Sequence, residues 1–133
     1  MPYIVCAEEV EDRWVAHVPD LPGCFASDKE RELAISAVPG AIQHYVAWCA
    51  GHGLHVSGIS GPMVVDEVIR SWMYEDDYEV NAFFAADRPP LLSDELGELE
   101  HLLSATRADL VQAVEGLDEE ALLKEFADER WPI

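Results

Sequence analysis

The sequence predicts an α+β chain: a small antiparallel-type sheet in the order β-β-β-α-β, then a hairpin strand, then C-terminal helices. Three observations predict it. Two short runs rich in β-branched and aromatic residues, "YIVCA" (3–7) and "RWVAHV" (13–18), flank an acidic turn. A corner fixed by proline and glycine, "PDLPGC" (19–24), leads straight into a helix start. Beyond residue 90, leucines recur every three or four residues.

The first hairpin turns at "EEVED" (8–12), and its second strand alternates: Trp14, Ala16 and Val18 on one face, Arg13, Val15 and His17 on the other. In the corner, Pro19 and Pro22 fix φ while Gly23 is free to take a positive value. "CFAS" (24–27) then reads as a third strand of at most four residues. Ser27 and Glu30 have capping-box spacing, which starts a helix at about Asp28. The helix runs to about Ala50, with Ala34, Val38, Ile42, Tyr45, Val46 and Cys49 along one stripe. Pro39 removes a backbone bond inside it and predicts a kink or a break. Gly51 and Gly53 supply the stop, and "SGISGP" (57–62) is loop.

"MVVDEVIRSWMY" (63–74) and "YEVNAFFA" (78–85), separated by "EDD" (75–77), read as a second hairpin, the first run being open to partial helix. "DRPPLL" (87–92) is the best linker, so the expected domains are 1–86 and 93–133. Leu92, Leu96, Leu99, Leu103, Leu110 and Val114 mark a helix from about Ser93 to Glu115, closed by Gly116. Asp118 is the expected N-cap of a short last helix.

The 133 residues suit about one domain with a helical appendage. Eight Lys and Arg against 27 Asp and Glu give a net charge of −19. Such a chain repels phosphate backbones, so direct nucleic-acid binding is excluded as a reading. The same charge suits a basic protein partner, or else a plain solvated acidic surface. Three widely spaced cysteines without a CxxC fit reduced, buried thiols and a cytoplasmic protein. Met1–Pro2 runs into a strand-like segment without the basic start of a signal peptide. Residues 33–65 hold no Asp, Glu, Lys or Arg, but Pro39, Gly40, Gln43, His44, Gly51, His52, Gly53 and His55 interrupt them, which argues against a membrane span.

No complete catalytic set is legible. His44, Cys49, His52 and His55 lie close in sequence, but their spacing matches no closed zinc site. The acidic residues Asp66, Glu67, Glu75, Asp76, Asp77 and Glu79 lack the alternation and glycine of a calcium loop. A nucleophilic Cys24 would need a base, for which His17 is the nearest candidate in sequence; a small buried thiol is the simpler reading. The expectation is therefore no enzyme, no metal and no cofactor. Four tryptophans and a short sheet with open edges favour a homodimer.

"WVAHVPDLPGCFAS" (14–27), followed directly by a helix, resembles the HicB-like antitoxin family. The resemblance covers residues 1–75, most strongly 1–56. It implies a partial RNase H-like fold without that nuclease's acidic metal cluster. It also implies a non-catalytic domain that covers the active site of a small basic RNA-cleaving toxin. The corner carries the expected partner-binding residues: Asp20, Leu21, Cys24 and Phe25. The operator-binding segment usual in that family has no counterpart, since residues 91–133 hold three basic and twelve acidic residues. The stretch "YEVNAFFAADRPPLL" with the closing "ERWPI" resembles the start of DinB-like four-helix proteins. That resemblance implies metal-binding histidines on helices beyond Ile133; His101 is the one histidine in this half. Read alone, the leucine stripe must pack on the first domain or on another subunit. The leading reading is a HicB-like protein-binding module. The alternatives are an orphan assembly module and the N-terminal fragment of a DinB-like metal-dependent enzyme.

Overall fold

The computed structural model describes residues 2–10, 12–56, 61–70, 72–74, 78–80 and 82–125. The chain divides into two units, residues 1–90 and 91–133.

The fold class is α+β. Strand β1 (Tyr3–Val10) pairs antiparallel with β2 (Arg13–His17), with Cys6 opposite His17 and Val10 opposite Arg13. The first strand thus continues through Glu8 and Glu9, which the sequence reading assigned to the turn. Asp12, just before β2, takes the positive φ of 62° that suits a tight reversal. Strand β3 (Phe25–Asp28) adds antiparallel to β2, with Phe25 opposite His17 and Ser27 opposite Val15. Strand β4 (Met63–Arg70) lies on the other side of β1 and runs parallel to it, so the sheet is mixed, in the order β3-β2-β1-β4. The helix between β3 and β4 provides the crossover length that a parallel neighbour requires. Strands β5 (Trp72–Tyr74) and β6 (Tyr78–Val80) form a separate antiparallel pair. The "EDD" segment at 75–77 lies outside the described residues.

Helix α1 (Arg31–Gly51) covers one face of the sheet. The core between them consists of Val5, Ala16, Val18, Leu21, Cys24, Ala26, Ala34 and Val38. Trp14, Ile35, Ala41, Ile42 and Tyr45 pack around it. Val46, expected on the buried stripe, is 39% exposed, and Ile35 and Ala41 take that role instead. The helix passes through Pro39 without a break. Pro39 is exposed, so water can serve the Ile35 carbonyl that the missing N–H leaves open.

The expected capping box does not form. Glu30 is the N-cap and makes no side-chain cap bond. Ser27 is held in the β ladder, where its hydroxyl accepts from Arg13 Nη2 (3.0 Å), so it cannot reach the first turn of the helix. Asp28 does the local work instead, its carboxylate accepting the Glu30 N–H at 3.1 Å.

In the second unit, α2 (Ser93–Val114) ends before Gly116, whose φ of 84° makes the turn. Glu95 caps its start by accepting the Leu92 N–H. Asp118 Oδ1 accepts the Ala121 N–H at 2.9 Å and starts α3 (Glu119–Leu122). Along α2, Leu99, Leu102 and Val114 are half-buried, while Leu96, Leu103 and Leu110 are exposed. Trp131, Pro132 and Ile133 lie outside the described residues. Among the described residues, no helix is long and apolar enough to cross a membrane.

Candidate functional site

The corner is a hydrogen-bonded knot. Leu21 N–H donates to Val18 O (2.9 Å), Cys24 N–H to Leu21 O (2.8 Å), and Val18 N–H to Cys24 O (3.0 Å). Gly23 sits at φ 87°, a conformation that L side chains rarely adopt. The Tyr45 hydroxyl on α1 donates to Pro22 O at 3.1 Å and ties the corner to the helix.

The four corner residues divide by side. Leu21 and Cys24 are buried in the core, so their side chains hold the corner in place. Asp20 is exposed, and Phe25 is 55% exposed. The physical reason is alternation: Cys24 and Ala26 face α1, which turns Phe25 to the opposite face of the sheet.

On that opposite face the Phe25 ring stands 6.2 Å from the ring of His17, and Phe84 stands 5.8 Å from it on another side. Phe84 is only 5% exposed. It arrives on residues 82–87, a strap that closes with a 3-10 turn at Ala85–Asp87. Two carboxylates of the sheet anchor the strap by its backbone. Glu8 Oε2 accepts the Ala82 N–H (3.0 Å), and Glu67 Oε1 accepts the Ala85 N–H (2.6 Å). The other oxygen of Glu8 accepts from His17 Nε2 at 2.9 Å, with the Glu8 side chain 12% exposed.

Cys6 lies on this face, opposite His17 on one side and Glu67 on the other. A β-bulge after Val5 inserts Asp66 between the residues of β4 that pair with Val5 and Cys6. As a result Cys6 Sγ and one oxygen each of Asp66 and Glu67 lie within 4.8 Å of one another. Sulfur and carboxylate donors in such a group could hold a divalent ion of the zinc kind. The His44, Cys49, His52 and His55 run forms no such group: Cys49 is buried in the fold, and the three histidines are exposed.

Thiol, imidazole and carboxylate in sequence invite a catalytic reading, and the chemistry opposes it. Burial pushes the Cys6 thiol above its ordinary value. The Glu67 N–H pulls the other way, while the charges of Glu67, Asp66 and Asp87 add to the rise. A reactive thiol needs the reverse environment. Cys24 and His17 do not meet either, because Cys24 faces α1 and His17 faces the strap. Burial, and then Cys49, push the Cys24 thiol up too.

Comparison of the chain with protein-family models, with curated proteins and with solved structures gives no match.

Sequence reading missed Glu8 and Phe84, and took Glu67 only as one of an acidic run. Glu8 has a signal: it shares strand parity with Cys6, so extending β1 by one repeat puts it on the same face. Phe84 has none, because its partners lie on strands far away in the chain.

Proposed function

We propose that this chain is a non-catalytic protein-binding module of the HicB antitoxin type, acting in the cytoplasm as a homodimer that neutralises a small basic RNA-cleaving toxin. The observation that carries the reading is Phe25, a large apolar side chain held 55% exposed beside His17 at the end of a rigid corner that also exposes Asp20. A rigidly held exposed aromatic ring is the kind of group that anchors an interface, and an exposed carboxylate on the same corner suits a basic surface. The chain's charge of −19 supports the same class of partner, since it speeds encounter with a cation-rich protein.

The test is native mass spectrometry of tagged chain isolated from its own host, followed by RNA cleavage by any retained partner. The reading expects a stoichiometric small basic protein whose cleavage of RNA stops when the chain is added back. Phe25→Ala and Asp20→Ala should weaken that complex by tenfold or more without lowering the melting temperature. Recovery of homo-oligomers alone, or a partner without RNA-cleaving activity, would leave the orphan assembly reading in its place.

A further inference from the structure

A second surface lies on the helix side of the sheet. The corner and the last turns of α1 border an open groove of about 330 Å³, lined by Gly23, Cys24, Phe25, Ala41, His44, Tyr45 and Trp48. That volume is at the low end for ligand pockets, about 300–1,000 Å³, and suits a side chain better than a large cofactor. The groove is preformed. The Tyr45 bond to Pro22 O fixes one wall, and the knot at 18–24 fixes the floor. A Cβ built on Gly23 would meet nothing within 4 Å, so the floor there is bare backbone.

Its chemistry selects for a cation. The Tyr45 and Trp48 rings stand 6.3 Å apart at 42°, and Trp48 is 4.7 Å from the His52 ring. Aromatic faces attract a guanidinium or ammonium group. The groove adjoins the C-terminal end of a helix 21 residues long, the negative end of its dipole, and no basic residue occupies the last turn. Neither Lys nor Arg lines the groove. The net charge of −19 adds a long-range field of the same sign.

We infer that this groove receives an arginine side chain of a basic polypeptide, its guanidinium stacked on Trp48. Arginine fits better than lysine because its planar group stacks on a ring and still donates to backbone carbonyls along its edge. The inference rests on the protein-binding reading above and adds to it a contact on α1, at Trp48 and His44, in a groove whose rim includes Phe25.

The test is calorimetric titration of the full chain with a nine-residue arginine peptide, then with lysine and glutamate peptides of equal length. The arginine peptide should bind tighter than the lysine peptide, and the glutamate peptide should not bind. Trp48→Ala should weaken arginine-peptide binding at least tenfold. His44→Lys, at an exposed helical position that leaves the fold intact, should weaken it similarly by placing a positive charge at the groove. Glu98→Gln, exposed on α2, removes one negative charge elsewhere and should change affinity less than twofold. Equal binding by wild type and both groove variants would overturn the inference and leave diffuse attraction to an acidic surface. Binding of free guanidinium as tightly as of the peptide would also overturn it, since the ligand would then be a small cation. The two proposals fail separately: a toxin complex that ignores Trp48→Ala and His44→Lys but depends on Phe25 sinks this one alone.

Discussion

Phe84→Ala tests whether the strap covers its face of the sheet. A phenylalanine contributes about 150–250 Å² of surface, and at about 25 cal/mol per Å² a nearly complete burial stabilises by about 4–6 kcal/mol at most. Phe84 is buried to within 5% but sits at a margin, where water can enter the space left behind. The low end of measured Phe→Ala losses, about 3 kcal/mol, is therefore expected. The loss should appear first as local opening, because the backbone bonds from Ala82 and Ala85 to Glu8 and Glu67 are too few to hold the strap alone. Cys6 reports on that opening. A change of about 3 kcal/mol raises the open population roughly 100-fold, at about 1.4 kcal/mol per tenfold. The assay is thiol labelling under native conditions, read cysteine by cysteine by peptide mapping. Cys6 should label about 100-fold faster in the variant, while Cys24 and Cys49, on the helix side of the sheet, keep their protection. Unchanged labelling of Cys6 together with a stability loss below about 1 kcal/mol would refute the reasoning.

Three further outcomes follow from the corner and the helix ends. Gly23→Ala adds a Cβ that meets no neighbour but keeps φ at 87°, so its cost is purely conformational, about 1–2 kcal/mol by urea unfolding; no loss would mean that the corner relaxes. Asp118→Ala removes the cap of α3 and should speed hydrogen exchange at the Ala121 amide about fivefold to tenfold, in line with a cap worth about 1 kcal/mol; an unchanged rate would show that the carboxylate is dispensable. Burial raises the thiols of Cys6, Cys24 and Cys49 above 9.0, and burial with neighbouring Cys49 pushes the Tyr45 phenol up to about 12. The unfolded chain sheds these protons first, so their contribution is fully present below the ordinary thiol value and is lost as pH climbs toward about 12. Urea melts at rising pH should show stability falling through this window, and a flat profile would refute the assignment.

Local signals were read well and distant ones were not. The Trp14, Ala16 and Val18 alternation, the Asp118 cap and the stop at Gly116 depend on residues within one turn of each other, and the structure has all three. Ser27 and Glu30 also carry a local signal, but the β ladder claims Ser27, and tertiary pairing overrides the cap. The parallel placement of β4 against β1 depends on the whole crossover, which no window of the sequence contains. The corner residues were legible as a group. Which of them face outward was not, because Cys24 and Phe25 differ only by the phase of one short strand. Glu8 lay in a run of acidic residues that reads as a turn, and only its partners, His17 and the Ala82 N–H, distinguish it from its neighbours.

The anchoring of the strap has a consequence for how this chain can vary. Glu8 and Glu67 grip amide hydrogens, a feature that nearly every residue shares, and neither reads the side chain at 82 or 85. Those two positions should accept almost any amino acid, with proline as the forbidden one because it lacks the hydrogen. The information that specifies the strap is thus stored largely outside it, in two carboxylates on separate strands, and within it at Phe84 and at Asp87, whose carboxylate accepts the Phe84 N–H. A drifting lineage could rewrite most of that segment while the sheet beneath it kept the same cover.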